Sequence, residues 1–176
     1  SNSQRATLSW TTSTEIENFG FRIERNFEQT EWKLVEFIRG SGFSTEPITY
    51  TFEDSGAQLA GSYFYRLTQI DFDGTETTYP VVEVLIEAPL ETELMANYPN
   101  PFNPSTTIVY QLAKQEQVTI QVFDVLGRLV QTLANEKQLA GRYELSFTAS
   151  RLASGIYFIR LSTEQQSFTR KIMLLK

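Results

Sequence analysis

Cysteine and histidine are both absent from this 176-residue sequence. Their absence excludes disulfides, thiolate nucleophiles, Cys/His zinc centres and every catalytic arrangement that needs an imidazole base. No apolar run approaches the ~20 residues a helix needs to cross a bilayer. The longest candidate, Ile156 to Leu161, is strand-sized and interrupted by Arg160, so no membrane-spanning segment is expected. A basic, apolar, small-residue leader is missing too, and Ser1-Asn2-Ser3 reads as added residues. The expectation is the tail of a longer protein whose own export signal lies upstream. Excess positive charge is also missing. The formal net charge is -6, which argues against nucleic-acid binding by counterion release. The charge is unevenly placed, with 14 acids and 6 bases up to Ala88 and 7 acids and 9 bases from Pro89 onward.

What is present is β-sheet patterning. Leu8 and Trp10 alternate with polar residues, as do Phe19, Phe21 and Ile23. Trp32, Leu34, Glu36 and Ile38 form one face of the next run, with Lys33, Val35 and Phe37 on the other. Ile48 to Phe52, Tyr63 to Ile70 and Val81 to Ile86 follow, with Asp71-Phe72-Asp73-Gly74 as a tight hairpin between the last two. Glu87 to Glu93 is acidic, carries Pro89 and breaks the alternation, so it reads as a linker. Alternation resumes with Ile108, Tyr110 and Leu112; Val118, Ile120 and Val122; Leu129 to Leu133; Tyr143, Leu145 and Phe147; Ile156 to Leu161; and Phe168 to Leu175. The fold class expected is all-β: two consecutive antiparallel β-sandwiches of immunoglobulin-like or fibronectin type III-like form, over residues 1–88 and 94–176, joined by a linker at 89–93. The halves share a class, but no repeated motif is read between them.

The first half resembles a fibronectin type III domain. Leu8-Ser9-Trp10 is similar to that family's second strand with its buried tryptophan, and Gly61-Ser62-Tyr63-Phe64-Tyr65-Arg66-Leu67 to its sixth. The resemblance makes Tyr63 a tyrosine-corner residue, its phenol tied to nearby backbone. Only a few residues precede Leu8. Either the domain is entered part-way or its first strand comes from elsewhere, leaving a sheet edge open to strand addition.

Tyr98-Pro99-Asn100-Pro101-Phe102-Asn103-Pro104-Ser105 carries three prolines in eight positions. Prolines fix φ and withhold donors, so the stretch must be a rigid entry into the strand that follows. On composition alone it is a stiff loop. Its companions, in order, are Val122-Phe123-Asp124-Val125-Leu126-Gly127-Arg128-Leu129-Val130, Ala140-Gly141-Arg142-Tyr143, Leu152-Ala153-Ser154-Gly155-Ile156-Tyr157 and Thr169-Arg170-Lys171-Ile172-Met173-Leu174-Leu175-Lys176. From Leu94 to Lys176 this ordered set resembles the type A C-terminal sorting domain of type IX (Por) secretion substrates. The resemblance implies export through the periplasm to the outer-membrane surface or the extracellular space. It implies recognition by the outer-membrane translocon, removal by a sortase-like surface protease near Glu87 to Met95, and release or attachment of the mature protein to lipopolysaccharide. It implies no catalysis and no cofactor. The family's motif residues fall on Pro99, Asn100, Pro101, Phe102, Gly141, Tyr143, Gly155, Tyr157 and Lys171, each with a plain structural alternative: turns for the glycines, packing for the tyrosines, a lysine-blunted edge for the basic end Arg170, Lys171 and Lys176.

Other chemistry reads weakly. Asp71-Phe72-Asp73-Gly74 begins like a calcium loop, but Thr75 and the lack of a suitably spaced glutamate favour a hairpin turn. Glu15 with Glu17 and Glu53 with Asp54 read as a solvated face. Trp32, Tyr50 and Phe72 form a candidate sugar-stacking row, with core packing as the rival. The alternative to a sorting signal with a spacer is a carbohydrate- or protein-binding first domain followed by a merely structural second one.

Overall fold

Residues 5–176 are described by the computed structural model, which divides into two compact units, Ser1–Glu87 and Ala88–Lys176. Every regular element among the described residues is a strand. The first unit contains β1 (Ala6–Thr12), β2 (Glu15–Phe27), β3 (Lys33–Ser44), β4 (Ile48–Asp54), β5 (Gly61–Asp71), β6 (Glu76–Thr78) and β7 (Val82–Ile86). Among the described residues β1 pairs with β4 alone, and the facing sheet runs β3-β2-β5, with β6 and β7 both on the far side of β5. All the pairings are antiparallel. Side chains alternate across a strand, so Ile23 of β2 and Tyr63 and Tyr65 of β5 share the interior with Ala6, Ala57 and Ile86.

Alternation predicts this core well except where the backbone is bulged. Phe19 shares the parity of Phe21 and Ile23, yet it is 40% exposed while Asn18 is fully buried. Glu17 adopts φ 57° and the register slips on both sides of Asn18, which exchanges the faces of the strand. A third slip, between Ile23 and Glu24, mixes the two expected faces of β3 and leaves Leu34 65% exposed. Trp10 is half-buried rather than enclosed; it stacks on Tyr50 and meets Phe21 edge-on.

The second unit contains β8 (Glu93–Leu94), β9 (Ser105–Leu112), β10 (Glu116–Asp124), β11 (Leu129–Gln138), β12 (Gly141–Thr148), β13 (Gly155–Ser162) and β14 (Ser167–Leu174). Its sheets run β12-β9-β8 and β11-β10-β13-β14. Ile108, Tyr110 and Leu112 from one sheet face Val118, Ile120, Val122, Ile159, Leu161, Ile172 and Leu174 from the other, all essentially inaccessible to water. A row of this kind is worth about 1.5–3 kcal/mol per side chain in removed apolar area, before conformational entropy is set against it.

Candidate functional site

The proline-rich segment and the last strand, some seventy residues apart in sequence, lie against each other. Phe102 N–H donates to the Met173 carbonyl (2.9 Å), and Leu175 N–H donates back to the Phe102 carbonyl (3.0 Å). Asn100 extends this ladder with its side chain: Oδ1 accepts from Met173 N–H (3.0 Å) and Nδ2 donates to the Lys171 carbonyl (3.4 Å). A segment punctuated by prolines is short of backbone donors, and the amide beside them replaces what is missing. Phe102 itself is 1% exposed and sits 5.9 Å from Phe147 in the core. Pro99, Asn100 and Pro101 are exposed. The Tyr98–Pro99, Asn100–Pro101 and Asn103–Pro104 peptide bonds are cis.

A buried Asn97 fixes the other flank. Its Nδ2 donates to Thr106 Oγ1 (2.8 Å) and to the Pro99 carbonyl (3.2 Å), and the Thr106 hydroxyl donates to that same carbonyl (2.8 Å). Neither residue was singled out from sequence. The available signal is that Asn97 and Asn100 are amides bracketing a proline, where side chains must stand in for main-chain donors.

Gly141 and Tyr143 open β12, and Gly155 and Tyr157 open β13, with the same internal arrangement. Tyr143 donates its hydroxyl proton to the Leu139 carbonyl and Tyr157 to the Ala153 carbonyl, each at 2.8 Å and four residues back. In the first unit Tyr63 closes the same loop from Gly61, its hydroxyl oxygen accepting from Leu59 N–H at 3.1 Å. The expected tyrosine corner is therefore present, and it occurs three times. Gly61 and Gly141 adopt φ of 143° and 142°, a region open chiefly to glycine. This corrects the reading that the halves share no motif: Leu59-Ala60-Gly61-Ser62-Tyr63 and Leu139-Ala140-Gly141-Arg142-Tyr143 are one device used twice, and Leu152-Ala153-Ser154-Gly155-Ile156-Tyr157 carries it with one residue inserted. Tyr143 also stacks on Tyr110, whose phenol burial pushes up to about 12 and whose hydroxyl donates to Gln138 Oε1 at 2.8 Å.

Lys171 is exposed. Of the other basic-end residues, Arg170 Nε donates to the Leu94 carbonyl (2.9 Å), and Lys176 Nζ donates to the Ser150 carbonyl (2.8 Å). The Asp124 to Leu129 motif is the β10–β11 turn, where the Asp124 carboxylate accepts from Leu126 and Arg128 N–H and exposes Val125 and Leu126.

The first unit brings other groups together. Glu15 and Asp54 are not on a solvated face: they are 3% and 2% exposed. Both occupy inward positions and are supplied with donors. Glu15 accepts from Tyr50 (2.6 Å), Thr12 (2.9 Å) and Ser41 N–H (2.8 Å). Burial alone would raise its pKa, but these donors outweigh burial and hold it below the usual carboxylate value. Asp54 accepts from Arg25 (2.6 Å), Tyr65 (2.8 Å) and Gly56 N–H (2.9 Å). Both arrangements are spent on internal bonding. Trp32, Tyr50 and Phe72 do not form a row: Arg66 covers Trp32 at 4.5 Å, Tyr50 packs between Trp10 and Phe21, and Phe72 meets Phe19. In the Asp71–Gly74 turn, Asp73 caps Thr75 N–H and Asp71 holds the Gln69 amide. Among the described residues no group of three or more acidic, cysteine or histidine side chains is placed to hold a metal ion.

Comparison with known proteins adds the following. Residues 96–175 match the family model of the secretion system C-terminal sorting domain. No curated protein sequence matches the chain. Solved structures with similarity include dimeric latent PorU from Porphyromonas gingivalis (14% identity, TM-score 0.38, 96% of this chain and 18% of that one). Fibronectin(III)-like modules of CbhA from Clostridium thermocellum align at 15% identity and TM-score 0.28, over 98% of this chain and 85% of that one. Chicken CNTN1 FN1-FN3 domains align at 13% and 0.34, over 100% and 61%. The chain spans less than a fifth of the PorU length. The segment whose first and last motifs lie hydrogen-bonded together is thus the part of this chain, residues 96–175, that matches the secretion system C-terminal sorting domain, a match that implies export across the outer membrane to the cell surface or extracellular space.

Proposed function

We propose that this chain is a non-catalytic C-terminal region of a larger secreted protein, in which residues 94–176 are read as a folded sorting signal and residues 1–88 act as a spacer. The observation that carries this reading is the clasp between Asn100 and Phe102 and the strand segment Lys171 to Leu175. It holds exposed Pro99, Asn100 and Pro101 beside exposed Lys171, with Phe102 as the buried anchor, and the outer-membrane translocon reads that surface as a unit. Lys171 supplies the cation there, while Tyr143 and Tyr157 act by holding the loops in place. A sortase-like surface protease then separates the spacer from the signal within the linker. The side toward the second unit is already tied down: Gln111 Nε2 donates to the Glu91 carbonyl and Ala113 N–H to Thr92 Oγ1. Leu90, by contrast, is 98% exposed, so the 87–90 stretch is the accessible substrate. The released first unit leaves with the mature protein, which is set free or joined to lipopolysaccharide.

The test is a fusion of residues 88–176 to an inert periplasmic cargo in a host with this secretion system. Expected are surface or culture-medium cargo and loss of the tail. Cargo that stays periplasmic with the tail attached refutes the sorting reading. Surface cargo that keeps its tail refutes only the cleavage step.

A further inference from the structure

Three phenylalanines of the first unit meet at its surface rather than in its core. Phe19, Phe37 and Phe72 are 40%, 36% and 59% exposed, and the Phe19 ring lies 5.3 Å from Phe37 and 5.5 Å from Phe72. Ile16 and Phe43, both largely exposed, stand opposite each other in the β2–β3 ladder nearby. Single exposed apolar side chains need no explanation, whereas a contiguous group marks a contact surface. The backbone is shaped to hold this one. The bulge at Glu17 turns Phe19 outward, and the Glu17 carbonyl accepts the Phe72 N–H at 2.9 Å, which ties the β5–β6 turn to the bulge. Phe37 lies against the main chain of Gly20, where a Cβ would fall 2.5 Å from its ring. Charged groups stand among the rings: Arg39 follows Phe37 two positions along β3, and Glu17 and Asp73 are exposed beside Phe19 and Phe72 in sequence. Ala6, opposite Asp54, and Ile86, opposite Gly61, lie at the other end of the strands, so chain joined to the unit on either side attaches away from these rings.

We propose that this patch binds a neutral polysaccharide, whose sugar rings stack their C–H faces on Phe19, Phe37 and Phe72 while their hydroxyls meet Glu17, Asp73 and Arg39. Charge sets the class of partner. Residues up to Ala88 carry 14 acids against 6 bases, and two of the three charged groups at the patch are carboxylates, so a polyanion is repelled. A protein partner would have to bury Glu17 between Ile16 and Phe19, and charged residues are depleted from the cores of protein interfaces. A sugar is apolar on its ring faces and polar around its edge, so it satisfies rings and charges together. The rings are held in place before binding, so little side-chain freedom is lost when a ligand arrives. The first unit is then more than a spacer: it grips glycan on behalf of the protein that carries it. This does not depend on the export reading, because binding is measured on the purified chain.

The experiment is affinity electrophoresis of the full 176-residue chain in native gels containing hydroxyethylcellulose, galactomannan, glucomannan or dextran, with alginate as the polyanion. At least one neutral polymer is expected to retard the chain, and alginate is not. Phe72→Ala, in an exposed turn, should weaken the retardation about fivefold with an unchanged melting temperature. Phe72→Leu should weaken it as much, because it keeps apolar area but has no ring face, whereas Phe72→Trp should preserve or strengthen it. Leu85→Ala, at a similarly exposed apolar site on β7, should change nothing. Retardation by none of the neutral polymers overturns the proposal, as does stronger retardation by alginate. A Phe72→Leu variant that binds like the original chain overturns it too, because apolar area rather than a ring face then makes the contact.

Discussion

The three tyrosine corners allow a graded test of what these side chains do. Replacing each tyrosine with phenylalanine removes one oxygen and leaves the ring, so the differences among the three variants isolate the hydroxyl. In Tyr63→Phe the lost oxygen is an acceptor, and the Leu59 N–H in a half-buried loop is left unpaired. An orphaned donor costs more than an orphaned carbonyl, which keeps a second lone pair for water, so the cost is about 1–2 kcal/mol. In Tyr157→Phe a donor is lost from a ring that is 8% exposed, while the Ala153 carbonyl lies on an exposed residue, giving about 0.5–1 kcal/mol. Tyr143→Phe removes a bond at a solvent-exposed site and costs under about 0.5 kcal/mol. For domains of this size each kcal/mol moves the melting temperature by about 4–8 °C. Calorimetry should therefore order the variants Tyr63, Tyr157, Tyr143, with shifts of about 5–15 °C, 2–8 °C and under 4 °C. The Tyr63 shift belongs to the first unit and the other two to the second. Equal shifts, or the reverse order, refute the donor–acceptor reasoning. A Tyr143 or Tyr157 variant that keeps its melting temperature but loses export in the fusion assay refutes the assignment of these tyrosines to structure.

Phe102→Ala empties a fully enclosed site and should cost the second unit about 3–5 kcal/mol, read by urea unfolding, with the first unit unaffected. Asn100→Asp replaces the Nδ2 donor with an oxygen facing the Lys171 carbonyl and should reduce export of a fused cargo while leaving most of the stability, since the site is exposed. Asp54→Ala strands the Tyr65 hydroxyl and the Arg25 guanidinium and should destabilise the first unit by about 3 kcal/mol in chemical denaturation. In alkali, burial pushes Tyr50 up to about 12, with Glu15 adding to the effect, and burial raises Tyr65 further, with Asp54 adding to it. A raised phenol contributes fully below its unfolded value of about 10, and that contribution is lost as pH climbs through the folded value, so stability of the first unit should fall between about pH 10 and 12. A flat stability profile across that window counts against the buried phenols.

Much of this molecule was legible because alternation is a local property. Ile108, Tyr110 and Leu112, and Val118, Ile120 and Val122, were placed on one face each by spacing alone, and all six are buried. Legibility stopped where a single residue changes the register. Nothing in the composition around Glu17 announces its positive φ, yet that residue decides whether Phe19 or Asn18 faces inward. Buried carboxylates were hidden for a related reason. Glu15 and Asp54 look like surface acids until the residues that donate to them, up to 35 positions away, are brought alongside. The proline-rich segment was readable as rigid, but its partner was not, because hydrogen bonds between residues 100 and 173 leave no periodic trace. The Leu-Ala-Gly-x-Tyr repeat is only five residues long, and its meaning comes from the hydroxyl bonds of Tyr63 and Tyr143 to backbone four residues earlier.

The clasp between Asn100, Phe102 and β14 also makes the proline-rich segment depend on a strand synthesised some seventy residues after it. A ribosome finishes residues 98–104 long before it adds Met173 and Leu175, and until then the Asn100 amide and the Phe102 backbone have nothing to hold. An abandoned or truncated product can contain every proline of the motif and still lack the surface those prolines help to frame.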